Sequence, residues 1–278
     1  MSLSDLNVNS LFNVKGKIAV VSGGGSGLGE MIASAFVENG AKVYIASRKE
    51  KQLKEVSERL NKGHPGSCHY IVADLGSKAG CDALIRAIKE KETKIHILVN
   101  NSGVTWGAKW DDFPEKEGWD RVMALNVKSI FYMTSGLTEL LAKDSTNQDP
   151  GRVINISSVA GIQTVAEGSS LAEKGQGLWS YNTSKAAVNH LTSLMASSLA
   201  PRFITVNAIL PGVFPSKMTA FGFKTHGEKM AVGQPMGRVG SARDMAGLAL
   251  FLVSPASAHI TGSHIPIDGG ATVSQGKL

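Results

Sequence analysis

Apolar residues in this chain come in short, β-branched runs, each followed by a longer stretch in which apolar positions recur every three or four residues. The first run, Lys17-Ile18-Ala19-Val20-Val21, is too short for a helix and apolar almost throughout, as a strand covered on both faces must be. A glycine-rich turn follows, then a predicted helix over 27–39 with Met31, Ile32, Ala35 and Phe36 on one face, ended by Asn39-Gly40. Strands are predicted over 43–46, 70–73 and 95–99, separated by helices over 53–60 and 83–89. The second half reads as a long helix over 120–141, a strand over 152–156, a helix over 180–199, a strand over 205–209, a helix over 243–252 and a closing strand over 263–267. Strict alternation implies an α/β fold: one Rossmann-type, doubly wound parallel sheet with helices on both faces. Residues 1–14 read as an N-terminal extension and 15–278 as a single nucleotide-binding domain, because no repeat and no linker rich in Gly, Ser or Pro divides them. Three segments break the rhythm, 144–150, 167–177 and 214–240, and irregular stretches of that length in compact domains are lids, binding loops or insertions.

Candidate chemistry begins in the first turn, Ser22-Gly23-Gly24-Gly25-Ser26-Gly27-Leu28-Gly29. Glycines there let backbone N–H groups approach a pyrophosphate, and the N-terminus of the following helix carries partial positive charge toward it. The spacing is Gly23-x-x-x-Gly27-x-Gly29 rather than Gly-x-Gly-x-x-Gly. At the end of the second strand, an NAD-binding site would place a carboxylate against the adenosine ribose. This chain has Ser47 there, followed by Arg48, a planar cation suited to bidentate phosphate contact, so the expected cofactor is NADPH. Arg48 as the mere opening of a solvated helix is the alternative.

Tyr181 and Lys185 lie four residues apart at the start of a predicted helix and project from one face of it. A phenol with an ordinary pKa of about 10 is a poor acid or base at neutral pH, and a cation one turn away favours its phenolate. The same pair of residues also describes an ordinary surface helix. Ser157-Ser158 follows the fifth strand and adds hydroxyl donors, and Asn126 lies on the long helix.

The glycine turn, with Ser22 where the family has Thr, resembles that of the short-chain dehydrogenases/reductases. The likeness recurs in order over residues 15–270: Asp74-Leu75, Asn100-Asn101-Ser102-Gly103, Pro211-Gly212, Ile260-Thr261-Gly262 and Asp268-Gly269-Gly270. It implies a cofactor held by Ser22, Gly23, Ser26, Gly27, Leu28, Gly29, Ser47, Arg48, Asp74, Leu75, Asn101, Ser102, Gly103, Tyr181, Lys185, Pro211, Gly212, Val213, Phe214 and Ser216. It also implies a catalytic set of Asn126, Ser158, Tyr181 and Lys185. In it Tyr181 protonates the forming alkoxide, Ser158 polarises the carbonyl, Lys185 lowers the Tyr181 pKa and holds the nicotinamide ribose, and Asn126 supports a water relay. Ser158 is preferred to Ser157 by the family's register. Ser158 and Tyr181 are 23 residues apart, more than is usual in the family, which places an insertion near 167–176 over the substrate cleft.

The segments 211–219, 235–238 and 264–270 resemble NADPH-dependent β-ketoacyl reductases within the family. They suggest reduction of 3-oxoacyl thioesters or of a broad range of ketones. A polyol or secondary-alcohol dehydrogenase is the alternative, and a catalytically silent NADPH-sensing regulator is the alternative from another class. The family also implies a homo-oligomer, usually a tetramer.

Composition trims this picture. A hydrophobic content of 42% is ample for a full core, and no apolar run approaches the ~20 residues of a membrane span. The net charge of +6 would draw an anionic partner, but Lys49, Lys51, Lys54, Arg59 and Lys62 read as the wet face of one helix, and with few aromatics nucleic acid is not expected. The seven histidines are scattered and the two cysteines, Cys68 and Cys81, form no Cys-x-x-Cys pair, so no metal site is expected. Two unpaired thiols and a mixed polar N-terminus point to the cytoplasm. Gly276-Lys277-Leu278 approaches a Ser-Lys-Leu peroxisomal address but lacks its Ser.

Overall fold

The computed structural model describes residues 6–169, 171–216, 219–220 and 234–274. Its centre is a seven-stranded, wholly parallel sheet in the order β3-β2-β1-β4-β5-β6-β7. The strands are β1 (Ile18–Ser22), β2 (Lys42–Ser47), β3 (Ser67–Val72), β4 (Ile97–Asn100), β5 (Gly151–Ile156), β6 (Ile204–Pro211) and β7 (His264–Ile267). The α-helices are α1 (Val8–Leu11), α2 (Gly27–Glu38), α3 (Glu50–Leu60), α4 (Lys78–Lys91), α5 (Arg121–Met123), α6 (Ser129–Ala142), α7 (Trp179–Leu199) and α8 (Ala242–Val253).

Burial follows from the pleat. Ala19 and Val21 of β1 face a core with Ile32 and Phe36 of α2, Leu53 of α3 and Met245 of α8. Val20, between them, faces the opposite core with Leu84 of α4, Met133 of α6 and Val188 of α7. Two covered faces are why the central strands read as continuous apolar runs. The edge strand β3 begins three residues before its predicted start. Ser67, Cys68 and His69 pair with Lys42, Val43 and Tyr44, and polar residues are tolerated there because one face is partly open. Cys68 and Cys81 are free and buried, and burial pushes both thiols up to about 11. Lys49, Lys51, Lys54, Arg59 and Lys62 are all exposed on or beside α3.

The long helix differs from its expected form. It starts at Glu115 and passes through two π-helical stretches, Glu115–Asp120 and Ala124–Lys128, before becoming regular in α6. Wide turns of this kind cluster at functional sites because they re-aim one side chain. Here that side chain is Asn126.

Candidate active site

Strand order reverses between β1 and β4, which opens a crevice beyond their carboxyl ends. A cleft of about 310 Å³ lies there, with Gly27 and Leu28 on one wall and Ser158, Tyr181, Lys185 and Phe214 on the other. Gly23 and Gly27 adopt positive φ, +66° and +57°, so the turn needs glycine at both. A methyl group on Gly29 would lie 2.4 Å from Asn101 Nδ2 and 2.5 Å from the Gly23 carbonyl oxygen, so this glycine serves close packing beneath the turn. Ser26 is the N-cap of α2, yet its side chain bonds no amide of the first turn, and Ser26, Gly27 and Leu28 all line the cleft. A helix N-terminus presented in this way fits an anion such as a pyrophosphate.

Several expected contacts face elsewhere. The Ser22 hydroxyl is buried and accepts from the Asn101 and Ser102 amides, both at 3.0 Å, tying β1 to the turn after β4 instead of lining the cleft. Asn101 lines the cleft, but its side chain donates back to the carbonyls of Ser22 and Gly23. Leu75 sends its side chain into the core, because the chain turns inward there to begin α4. Val213 contributes its carbonyl to the Gly240 amide and does not line the cleft. Ser102, Gly103, Pro211, Gly212, Phe214 and Ser216 do line it. Ser47 ends β2, and Arg48 and Asp74 line a neighbouring groove with Lys116 and Arg121. The Arg48 guanidinium is 3.9 Å from the Asp74 carboxylate and mostly open to solvent.

Asn126 is completely buried and faces the chain itself. Its Oδ1 accepts from the Val104 amide at 2.8 Å, and its Nδ2 donates to the Val104 carbonyl at 2.9 Å and to Ser184 Oγ at 3.0 Å. It therefore locks the segment after β4 to α7. Beneath it Asn100 bonds Asn155 at 2.9 Å, and Asn155 bonds Thr192 at 2.9 Å, a buried polar chain joining β4, β5 and α7.

The catalytic candidates meet where β5 ends and α7 begins. Lys185 Nζ donates to the Ile156 carbonyl at 2.9 Å, and Ser157 Oγ donates to the Lys185 carbonyl at 3.0 Å, so Ser157 serves to anchor α7. Ser158 lines the cleft together with Tyr181, and its Oγ accepts from the Ala160 amide at 3.1 Å. Burial holds the Tyr181 phenol above its ordinary pKa, partly offset by Ser158, and pulls the Lys185 ammonium down to about 8. The ammonium sits 5.6 Å from the ring centroid and donates a hydrogen bond to the Ile156 carbonyl.

Ile156, Leu171 and Thr219 also line the cleft, and Val104 and Ser184 support it; none was singled out from the sequence. Ser184 adjoins Lys185, but nothing in its spacing announced the bond to Asn126. Lys217, Met218 and 221–233, within the third irregular segment, and Ser170 in the inserted loop lie outside the described residues, as does the C-terminal end from 275. Among the described residues no cluster of His, Cys, Asp and Glu could hold a metal, and no helix is long and apolar enough to cross a membrane.

A family model described as enoyl-(acyl carrier protein) reductase matches residues 23–272. The chain belongs to the short-chain dehydrogenase/reductase family. This dehydrogenase/reductase is 41% identical over 261 residues to the rhamnolipids biosynthesis 3-oxoacyl-[acyl-carrier-protein] reductase of Pseudomonas aeruginosa, covering 93% of this chain and 97% of the relative. It is 35% identical to the NAD-dependent glycerol dehydrogenase of Listeria innocua, covering 94% and 96% of the two chains. Its fold superposes on the Pseudomonas aeruginosa RhlG/NADP active-site complex with a TM-score of 0.87 and 40% identity, over 95% of this chain and 99% of the other. The chain is an oxidoreductase of this family with a Rossmann-type sheet, and its family supports a pyridine nucleotide cofactor.

Proposed function

We propose that this oxidoreductase uses NADPH to reduce a ketone, with 3-oxoacyl thioesters as the favoured substrate class. The observation that carries the reading is the meeting of Ser158, Tyr181 and Lys185 in the cleft that also receives the N-terminus of α2. When bound, the nicotinamide supplies a hydride to the carbonyl carbon. The first turn of α2 would hold the pyrophosphate, Arg48 the ribose phosphate, and Lys185 with the Ser102-Gly103 turn the nicotinamide end. Tyr181 transfers its phenolic proton to the carbonyl oxygen as the C=O π bond breaks, leaving an alcohol. A phenol held above its ordinary pKa remains protonated at neutral pH, which suits a proton donor. Ser158 donates a hydrogen bond to the same oxygen, Lys185 restores charge balance beside the phenolate, and Asn126 holds Val104 and Ser184 so that this geometry persists.

The choice of NADPH rests on Ser47 and Arg48, which remove the repulsive carboxylate and add a cation, and it is supported by the NADP complex of the Pseudomonas protein. The glycerol dehydrogenase relative favours a second reading, oxidation of a secondary alcohol or polyol. Family likeness further supports one domain over 15–278, a homotetramer and a cytoplasmic site of action. The test is NADPH and NADH oxidation with a 3-oxo ester and a simple ketone, and the reverse reaction with glycerol. Faster NADPH oxidation with the 3-oxo ester is expected. Preferred glycerol oxidation would favour the second reading, and NADPH binding without turnover would make the protein a sensor.

A further inference from the structure

The chain between Ser158 and Tyr181 makes a detour that is fastened at several places. The Gly177 amide donates to the Ala108 carbonyl at 2.8 Å and the Ala108 amide returns the bond at 3.3 Å, so the detour pairs antiparallel with the segment that follows β4. Gly177 also bridges Glu167, and the Leu178 amide donates to the Ala166 carbonyl at 2.9 Å, which closes the detour on itself. Asn182 Nδ2 donates to the Val165 carbonyl at 3.0 Å and pins its outgoing arm to α7. The Trp110 ring meets the Trp179 ring edge-on at 4.6 Å, and a methyl on Gly107 would come within 2.8 Å of the Ala172 side chain. Two segments far apart in sequence are therefore in contact along their length.

Polarity is divided across this cover. Glu167, Glu173, Lys174 and Gly175 are exposed, whereas Leu171 is half-buried and lines the cleft alongside Ser158 and Tyr181. A solvated excursion would have no reason to turn Leu171 toward the reacting groups. We propose that Leu171 is a specificity-determining residue that contacts an apolar chain flanking the reacting carbonyl, and that the fastened cover selects substrates carrying several carbons on that side. The assignment rests on Ser158 and Tyr181 being the reacting centre, and it names the substrate class that centre serves.

The test compares kcat/KM with NADPH for methyl acetoacetate and for methyl 3-oxodecanoate, which differ only in apolar chain length. In Leu171→Ala the long-to-short ratio is expected to fall about tenfold, the scale on which a few apolar contacts discriminate. NADPH Kd should stay within about twofold of wild type, because the glycine turn and the start of α2 are untouched. Leu171→Asn, which keeps the branched heavy-atom outline of leucine but is polar, should reproduce the fall, and Leu171→Met should restore the wild-type ratio. A ratio unchanged in both Leu171→Ala and Leu171→Asn overturns the assignment while leaving ketone reduction intact. Wild-type turnover of neither ester, in either direction, overturns the ketone reading and this assignment with it.

Discussion

On the cofactor side of the cleft the backbone does the shaping. Gly23 and Gly27 take positive φ, Gly29 packs under a carbonyl, and the N-terminus of α2 presents its amides. Arg48 is the charged side chain that would distinguish one nicotinamide cofactor from the other. On the substrate side, side chains brought from separate parts of the chain make the wall: Leu171 from the cover, and Phe214, whose ring sits where a methyl on Gly240 would come within 2.3 Å. The contrast teaches that the glycine turn and the helix start behind it are written in consecutive residues, whereas the opposite wall is assembled from distant segments by tertiary contacts. Each can then be altered without the other.

Tyr181→Phe sits between the two walls and should have the largest effect. It removes the proton donor while keeping the ring, so kcat is expected to fall by about 10²–10⁴ with Tm and NADPH Kd preserved. Steady-state kinetics beside cofactor titration would check this, and a variant retaining most of its kcat would assign the proton to another group. Gly29→Ala attacks the cofactor wall. Its methyl has no room between Asn101 and the Gly23 carbonyl, so NADPH Kd should rise about 100-fold or more, which corresponds to about 2.7 kcal/mol. Fluorescence titration of a folded sample measures it.

Ser47→Asp combined with Arg48→Leu adds a carboxylate and removes a cation. The NADPH-to-NADH ratio of kcat/KM should move toward NADH by about 10- to 100-fold, since such charged contacts are worth about 1.5–3 kcal/mol. A wild type that already prefers NADH would contradict the reading of β2. Gly177→Ala tests the opposite wall. An added methyl would fall 2.6 Å from the Trp179 ring, displacing the fastened cover. The long-to-short ester ratio should change about fivefold or more, as expected when pocket contacts are lost, with NADPH Kd unmoved. If Kd moved equally, the two walls would not be separable.

The smallest effect is a pH limb. The Lys185 ammonium, brought down to about 8 by burial, is charged below that pH and loses its proton as pH rises through it, while the Tyr181 phenol stays protonated over the same range. kcat/KM for ketone reduction should therefore be level below pH 8, halved near it, and lower above. Lys185→Arg should carry the limb upward, because guanidinium does not titrate there.

The sequence alone determined the strand–helix alternation, the glycine turn, and the placing of Tyr181 and Lys185 on one helical face. Each follows from local periodicity or from a backbone demand met within a few residues. Boundaries were less legible: β3 begins at Ser67 and the long helix at Glu115, because pairing to β2 and packing between neighbours hold residues whose own pattern is too polar to show it. Tertiary structure alone decided that Ser22 faces inward to the turn after β4, that Asn126 spans Val104 and Ser184, and that burial holds the Tyr181 phenol above its ordinary pKa. It also decided the cover, since Ala108 and Gly177 form one antiparallel contact although the chain carries them far apart. Periodicity reports which face of an element is buried, and only the folded chain decides which distant residue buries it.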